Sequence, residues 1–110
     1  MDIRTLSERA MEIRAKYRAL EKEKIGREWT RSEVAQGLVG DVGDLMKLVM
    51  AKEGLRDIPD ADTKLAHELS DCLWCILVLA EKYDIDLEKA FLKTMDELDK
   101  RITSEKGQSA

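Results

Sequence analysis

Apolar residues recur at steps of three and four along most of the chain. Leu6, Ala10, Ile13, Tyr17 and Leu20 mark one face of a first amphipathic helix, with Thr5 and Glu8 at capping-box spacing at its start and Gly26 at its end. Thr30 and Glu33 repeat that spacing, and Val34, Leu38, Val42, Leu45 and Val49 form the stripe of a second helix that runs to Gly54. The stretch "GLRDIPDAD" then reads as the one substantial connection, because Pro59 and its neighbouring aspartates offer turn and cap chemistry. A third helix carries Leu65, Leu69, Cys72, Ile76 and Leu79 on one side. In a fourth, Asp86 serves as cap and Leu87, Phe91, Met95, Leu98 and Ile102 as stripe.

The third helix departs from simple amphipathicity. Trp74, Leu77 and Val78 lie elsewhere around its wheel, so it is apolar on two faces, more than a small four-helix chain covers by itself. This predicts a homo-oligomer, a dimer or a tetramer, with the second face buried against another subunit. Composition supports the helical reading: 38% of the 110 residues are charged, 5% are aromatic and Pro59 is the single proline, a profile of long charged helices and not of a packed sheet. The expectation is an all-α fold in one domain, residues 1–104, followed by a frayed tail over 105–110.

Charge narrows the function classes. The net charge of −4 arises from 23 acidic and 19 basic residues spread along the chain, with no basic stripe to follow a nucleic-acid backbone. No apolar core of signal-peptide length lies near the N-terminus, and the longest apolar run, "CLWCILVLA", is too short to span a bilayer. A soluble, cytoplasmic protein without membrane or polynucleotide partners is expected. Two cysteines without a secretion signal fit a reducing compartment.

"GLVGDVGDLMKL", residues 37–48, holds three glycines and two aspartates inside an otherwise helical stripe. On the wheel Asp41 and Asp44 fall on one side, bordering the apolar stripe, with Gly37 one turn earlier. Gly40 and Gly43 fall elsewhere, where close approach of another helix would explain them. Glu68 and Asp71 have the same spacing on the third helix, with Lys64 and Cys75 above and below. If these two helices pack antiparallel, both acidic pairs meet at one edge. Carboxylates converging at a half-buried edge repel one another unless protons, cationic side chains or metal ions neutralise them, and oxygen-only ligand sets favour hard cations such as Mg²⁺ or Mn²⁺. Ordinary solvated helix carboxylates share this spacing, so spacing by itself does not decide.

"LVGDVGDLMKL" together with "HELSDCLWCILVLAEKYDIDLEKAFLKTMDELDKRI" resembles the MazG-like all-α nucleoside triphosphate pyrophosphohydrolases, especially the dCTP pyrophosphatase branch, and the "REW" at 27–29 adds to the match. The resemblance implies a four-helix bundle, oligomeric with helices shared across subunit interfaces. It implies hydrolysis of an NTP or dNTP to the monophosphate and pyrophosphate by metal-activated water, with Asp41, Asp44, Glu68 and Asp71 holding Mg²⁺. Trp29, Lys64 and Arg101 are the expected substrate contacts, Trp29 to the base and Arg101 to phosphate. The chain departs from the family in three respects. Asp41 and Asp44 stand where glutamates are usual, which brings any ion closer to this helix backbone. Gly40 stands where many relatives carry a further glutamate, although the dCTP pyrophosphatase branch also has glycine there. Thr94 and Leu98 replace a lysine and an asparagine on the last helix, and Lys93 points away from the face of Thr94. A relative that keeps the bundle but not the activity, acting as a helical interaction or nucleotide-sensing module, is the alternative that the Asp-for-Glu changes and the lost lysine and asparagine raise.

The remaining candidates have plainer readings. Cys72 and Cys75 match C-x-x-C but lie mid-helix, with no second cysteine pair for zinc, and are expected as small buried side chains. His67, the single histidine, is expected at the surface or an interface. Trp29 either stacks on a base or staples the helix start. Met46, Met50 and Met95 are expected as core filler.

Overall fold

A computed structural model describes residues 2–109, the side chains of 107–109 excepted. Its elements are α1 (Ile3–Ile25), α2 (Arg31–Lys52), α3 (Ala61–Lys82) and α4 (Leu87–Ser109), with no strand among the described residues. Thus the all-α expectation holds. Of the tail expected over 105–110, Ala110 lies outside the described residues.

Helix ends follow local chemistry. α2 begins with the full capping box: Thr30 Oγ1 accepts from the Glu33 N–H at 3.1 Å, and Glu33 Oε1 accepts from the Thr30 N–H at 3.0 Å. The Arg27 guanidinium donates to Glu33 as well and, with the Thr30 N–H, holds its carboxyl down at about 2. That stability is present above the ordinary glutamate value of 4.5 and is lost as pH falls through about 2. Asp86 caps α4 as expected, its Oδ1 accepting from the Lys89 N–H at 3.1 Å. The start of α1 corrects the sequence reading. Asp2, not Thr5, is the cap, and the Thr5 N–H and hydroxyl both donate to Asp2 Oδ1. Gly26 ends α1 at φ 78°, a left-handed conformation that glycine adopts without a Cβ clash.

α3 is the central element, packed on α2 along one flank and on α1 along another. The packing runs antiparallel to α2: Val34 meets Val78 in the core, Cys75 meets Asp41, and Lys52 pairs with Asp62. Ala10, Val34, Leu77 and Val78 form the core, with Leu6, Trp74 and Leu87 against it. The Trp74 Nε1–H donates to the Ala10 carbonyl at 3.1 Å and ties α3 to α1.

Several expected core positions are outside. Val42 and Val49 of α2 and Leu69 and Ile76 of α3 are exposed, and Leu48 and Cys75 are buried in their place. Each of these helices has two apolar faces, and α2 and α3 bury the ones that border their carboxylates. The outer faces, Val39, Val42, Met46 and Val49 on α2 and Leu69, Leu73 and Ile76 on α3, lie on the flank turned away from those carboxylates. Met46, expected as core filler, is part of this outer surface, and Met95 is exposed too. Tyr17 and Leu20 leave the α1 stripe, where Arg14 is buried instead. α4 packs through Leu87, whereas Phe91, Met95, Leu98 and Ile102 are 39–57% exposed. Within one chain the core therefore belongs to α1–α3, and α4 carries an unpartnered stripe.

The glycines of α2 divide by surroundings. A Cβ at Gly40 or Gly43 would meet nothing within 4 Å, so the close helix approach expected for them is absent among the described residues. Gly40→Ala should therefore raise stability by about 0.5–1 kcal/mol, read as a higher urea midpoint. A lower midpoint would show that another surface uses the space.

Candidate metal and nucleotide site

The antiparallel pairing of α2 and α3 places three carboxylates together. Asp41 and Asp44, one turn apart on α2, face Glu68 on α3, and a carboxylate oxygen from each lies within 4.8 Å of the others. Asp41 is half-buried and its Oδ2 accepts from the Cys75 thiol at 3.6 Å. Asp44 is exposed, with the Lys47 ammonium 3.9 Å away. Glu68 is half-buried, and its Oε2 is buried without a hydrogen-bond partner among the described residues. Burial first, then the charges of Asp71, Asp41 and Asp44, push the Glu68 carboxyl above its ordinary value.

Asp71, the fourth predicted ligand, is not one of these three converging carboxylates, though its charge acts on Glu68. Its Oδ2 lies 3.1 Å from His67 Nε2, one turn earlier on α3, while the residue also lines the neighbouring cavity. The exposed His67 is thus a partner of a candidate ligand. Lys64 is exposed on the first turns of α3, one turn before Glu68. Arg101 is exposed on α4, and the chain does not bring it to the cavity.

A cavity of ≈ 530 Å³ opens beside the acidic edge between α1, α2 and α3. Its lining includes Asp41, Asp71, Gly37 and Cys75, and an aromatic set of Tyr17, Trp29 and Trp74. The rings of Tyr17 and Trp74 are 5.7 Å apart and inclined at 51°. A Cβ at Gly37 would lie 3.4 Å from the Trp29 ring, so the missing side chain lets the indole lie close over α2. Trp29, singled out by sequence, is thus a cavity wall. Tyr17, Trp74, Arg14 and Glu21 were missed, because on a wheel they read as core stripe or surface charge.

Cys72 and Cys75 are free and buried. Burial first, then Asp41, raises the Cys75 thiol to about 11, and burial likewise raises Cys72. Both shifts oppose thiolate chemistry.

The donors fit a divalent cation. Three carboxylates converge, and one has a buried oxygen without a donor and a proton affinity raised by its neighbours' charge. The linkage has a definite sign. A carboxyl whose value is raised in the fold stabilises it below the ordinary glutamate range and loses that stability as pH rises through the shifted value. A cation replaces the proton only when Glu68 is ionised. Mg²⁺ should consequently raise the melting temperature more at pH 7 than at about pH 4; equal shifts at both would contradict the assignment.

Fold and site together define an all-helical protein with a carboxylate cluster divided between two antiparallel helices, beside an aromatic-walled cavity. A family model described as the MazG nucleotide pyrophosphohydrolase domain matches residues 29–104, which include α2, α3 and most of α4. The chain belongs to that family. No curated protein and no solved structure matches it in the other two comparisons. No helix of the described residues is long and apolar enough to cross a membrane.

Proposed function

We propose that this protein is a metal-dependent nucleoside triphosphate pyrophosphohydrolase of the dCTP pyrophosphatase-like branch, cleaving an NTP or dNTP to the monophosphate and pyrophosphate. The observation that carries this reading is the meeting of Asp41, Asp44 and Glu68, with the unpartnered Glu68 oxygen, at the edge of a cavity walled by Trp29. Asp41, Asp44 and Glu68 hold Mg²⁺, or Mn²⁺ in its place, and Asp71 completes the acidic set from the cavity side. The bound ion supplies charge neutralisation for the triphosphate and a water of lowered pKa. The chain's own residues orient and enclose: Trp29 offers its face to the base, and the Cys75 thiol steadies the Asp41 carboxylate. Lys64 and Arg101 are the proposed phosphate contacts, Arg101 reaching the site from a neighbouring copy.

Assembly follows from the exposed apolar faces of α2, α3 and α4, which we assign to contacts between copies in a dimer or tetramer. Residues 1–104 then form one helical domain in a cytoplasmic enzyme. Thr94 and Leu98, where relatives carry lysine and asparagine, favour a second reading: a catalytically degenerate, nucleotide-sensing helical module.

A panel of nucleoside and deoxynucleoside triphosphates separates the two. The enzyme releases pyrophosphate and a monophosphate from at least one of them with Mg²⁺, and none after chelation. Binding without release favours the sensing module, and neither binding nor release removes both.

A further inference from the structure

α1 lies outside the residues matched by the family, yet it builds one side of the cavity. Two turns apart on this helix, Arg14 and Glu21 form a two-pronged ion pair, Nη1 to Oε2 at 2.8 Å and Nη2 to Oε1 at 2.6 Å. Their side chains are only 3% and 12% exposed. The Arg14 guanidinium holds the Glu21 carboxyl below the ordinary glutamate value. Glu21 Oε1 also accepts from the backbone N–H of Trp29 at 2.7 Å, across the turn that begins at Gly26.

We propose that Arg14 and Glu21 are positioning residues for the nucleotide: the ion pair fixes the Trp29 backbone, so that its ring stands over Gly37 as a preformed wall for the base. This rests on the nucleotide reading given above. A buried ion pair is seldom retained for stability, since apolar residues of similar volume usually serve a core as well or better. What an apolar pair cannot do here is accept the Trp29 N–H. Trp29 lies in a short linker with no helical hydrogen bond of its own, and its ring meets α2 where Gly37 leaves room. The Glu21 carboxylate is thus the fixed point between helix α1 and the ring. A wall held before the ligand arrives lowers the ordering cost of binding.

The pair Arg14→Met with Glu21→Met tests this without leaving an unpaired buried charge. The α,β-methylene analogues of the four standard deoxynucleoside triphosphates, with Mg²⁺, serve as binding probes, and Trp29 amide exchange is followed by NMR. The double variant should keep its melting temperature, exchange the Trp29 amide faster, and bind the preferred analogue about tenfold more weakly. With the hydrolysable nucleotide KM should rise by a similar factor and kcat stay within about twofold. Arg14→Met with Glu21→Gln, whose neutral amide oxygen still accepts from Trp29, should recover most of both losses. Unchanged Trp29 exchange or unchanged analogue affinity in the double variant overturns the proposal, even in an active enzyme. If the wild type binds no analogue, the nucleotide reading itself fails and the proposal with it. If the wild type binds analogues without hydrolysing any triphosphate, only the enzyme reading fails, and exchange and affinity still decide the clamp.

Discussion

Glu68→Gln should abolish pyrophosphate release, by about a hundredfold or more, while making the metal-free protein more stable at pH 7. The opposite signs come from one cause. Glu68 sits half-buried with an unpartnered oxygen, near Asp41, Asp44 and Asp71, and burial and those charges raise its proton affinity. Ionising it is costly in the absence of a cation, so a neutral amide of the same shape relieves the fold. The same amide removes a charge that a divalent ion needs. Denaturant midpoints without metal and turnover with Mg²⁺ check the two halves. Full turnover in the variant would remove Glu68 from the site, and a lower metal-free midpoint would show that its charge is already compensated in the fold.

Arg14→Ala should lose about 3 kcal/mol of unfolding free energy, read from urea titration. The substitution removes a side chain that is only 3% exposed and leaves the Glu21 carboxylate nearly buried, with the Trp29 N–H its one remaining donor. Uncompensated buried charge of this kind is costly, and typical domains have only about 5–15 kcal/mol to lose. A loss under about 1 kcal/mol would mean that water reaches Glu21 once the guanidinium is gone.

The parts of this protein that sequence exposes are those set by neighbours in the chain. The Thr30–Glu33 box and the Asp86 cap were legible because each is a bond between residues three apart. Asp2 was overlooked because Thr5 and Glu8 offer an equally regular box, and only the side-chain geometry shows Thr5 donating to Asp2 instead. Asp41, Asp44 and Glu68 were legible as pairs bordering apolar stripes, and antiparallel packing brings them together. Asp71 shared their spacing but stands with His67, a difference of side-chain direction that spacing does not contain. The buried faces of α2 and α3 were misassigned for a related reason. Val42 and Leu48 are equally apolar, and only the partner helix decides which one it covers. Arg14 and Glu21 were invisible as a pair, because two charges seven residues apart on a charged helix read as solvated surface.

We propose that carboxylates from α2 and α3 form one divided site for a divalent ion. Electron paramagnetic resonance of Mn²⁺ tests it without reference to any substrate, because the free ion gives a signal that binding suppresses. Titration of Mn²⁺ into the wild-type protein should suppress the free-ion signal stoichiometrically, and Asp41→Asn or Glu68→Gln should each restore it, one from either helix. A free-ion signal unaffected by wild-type protein, or suppression that survives both substitutions, would contradict a divided site.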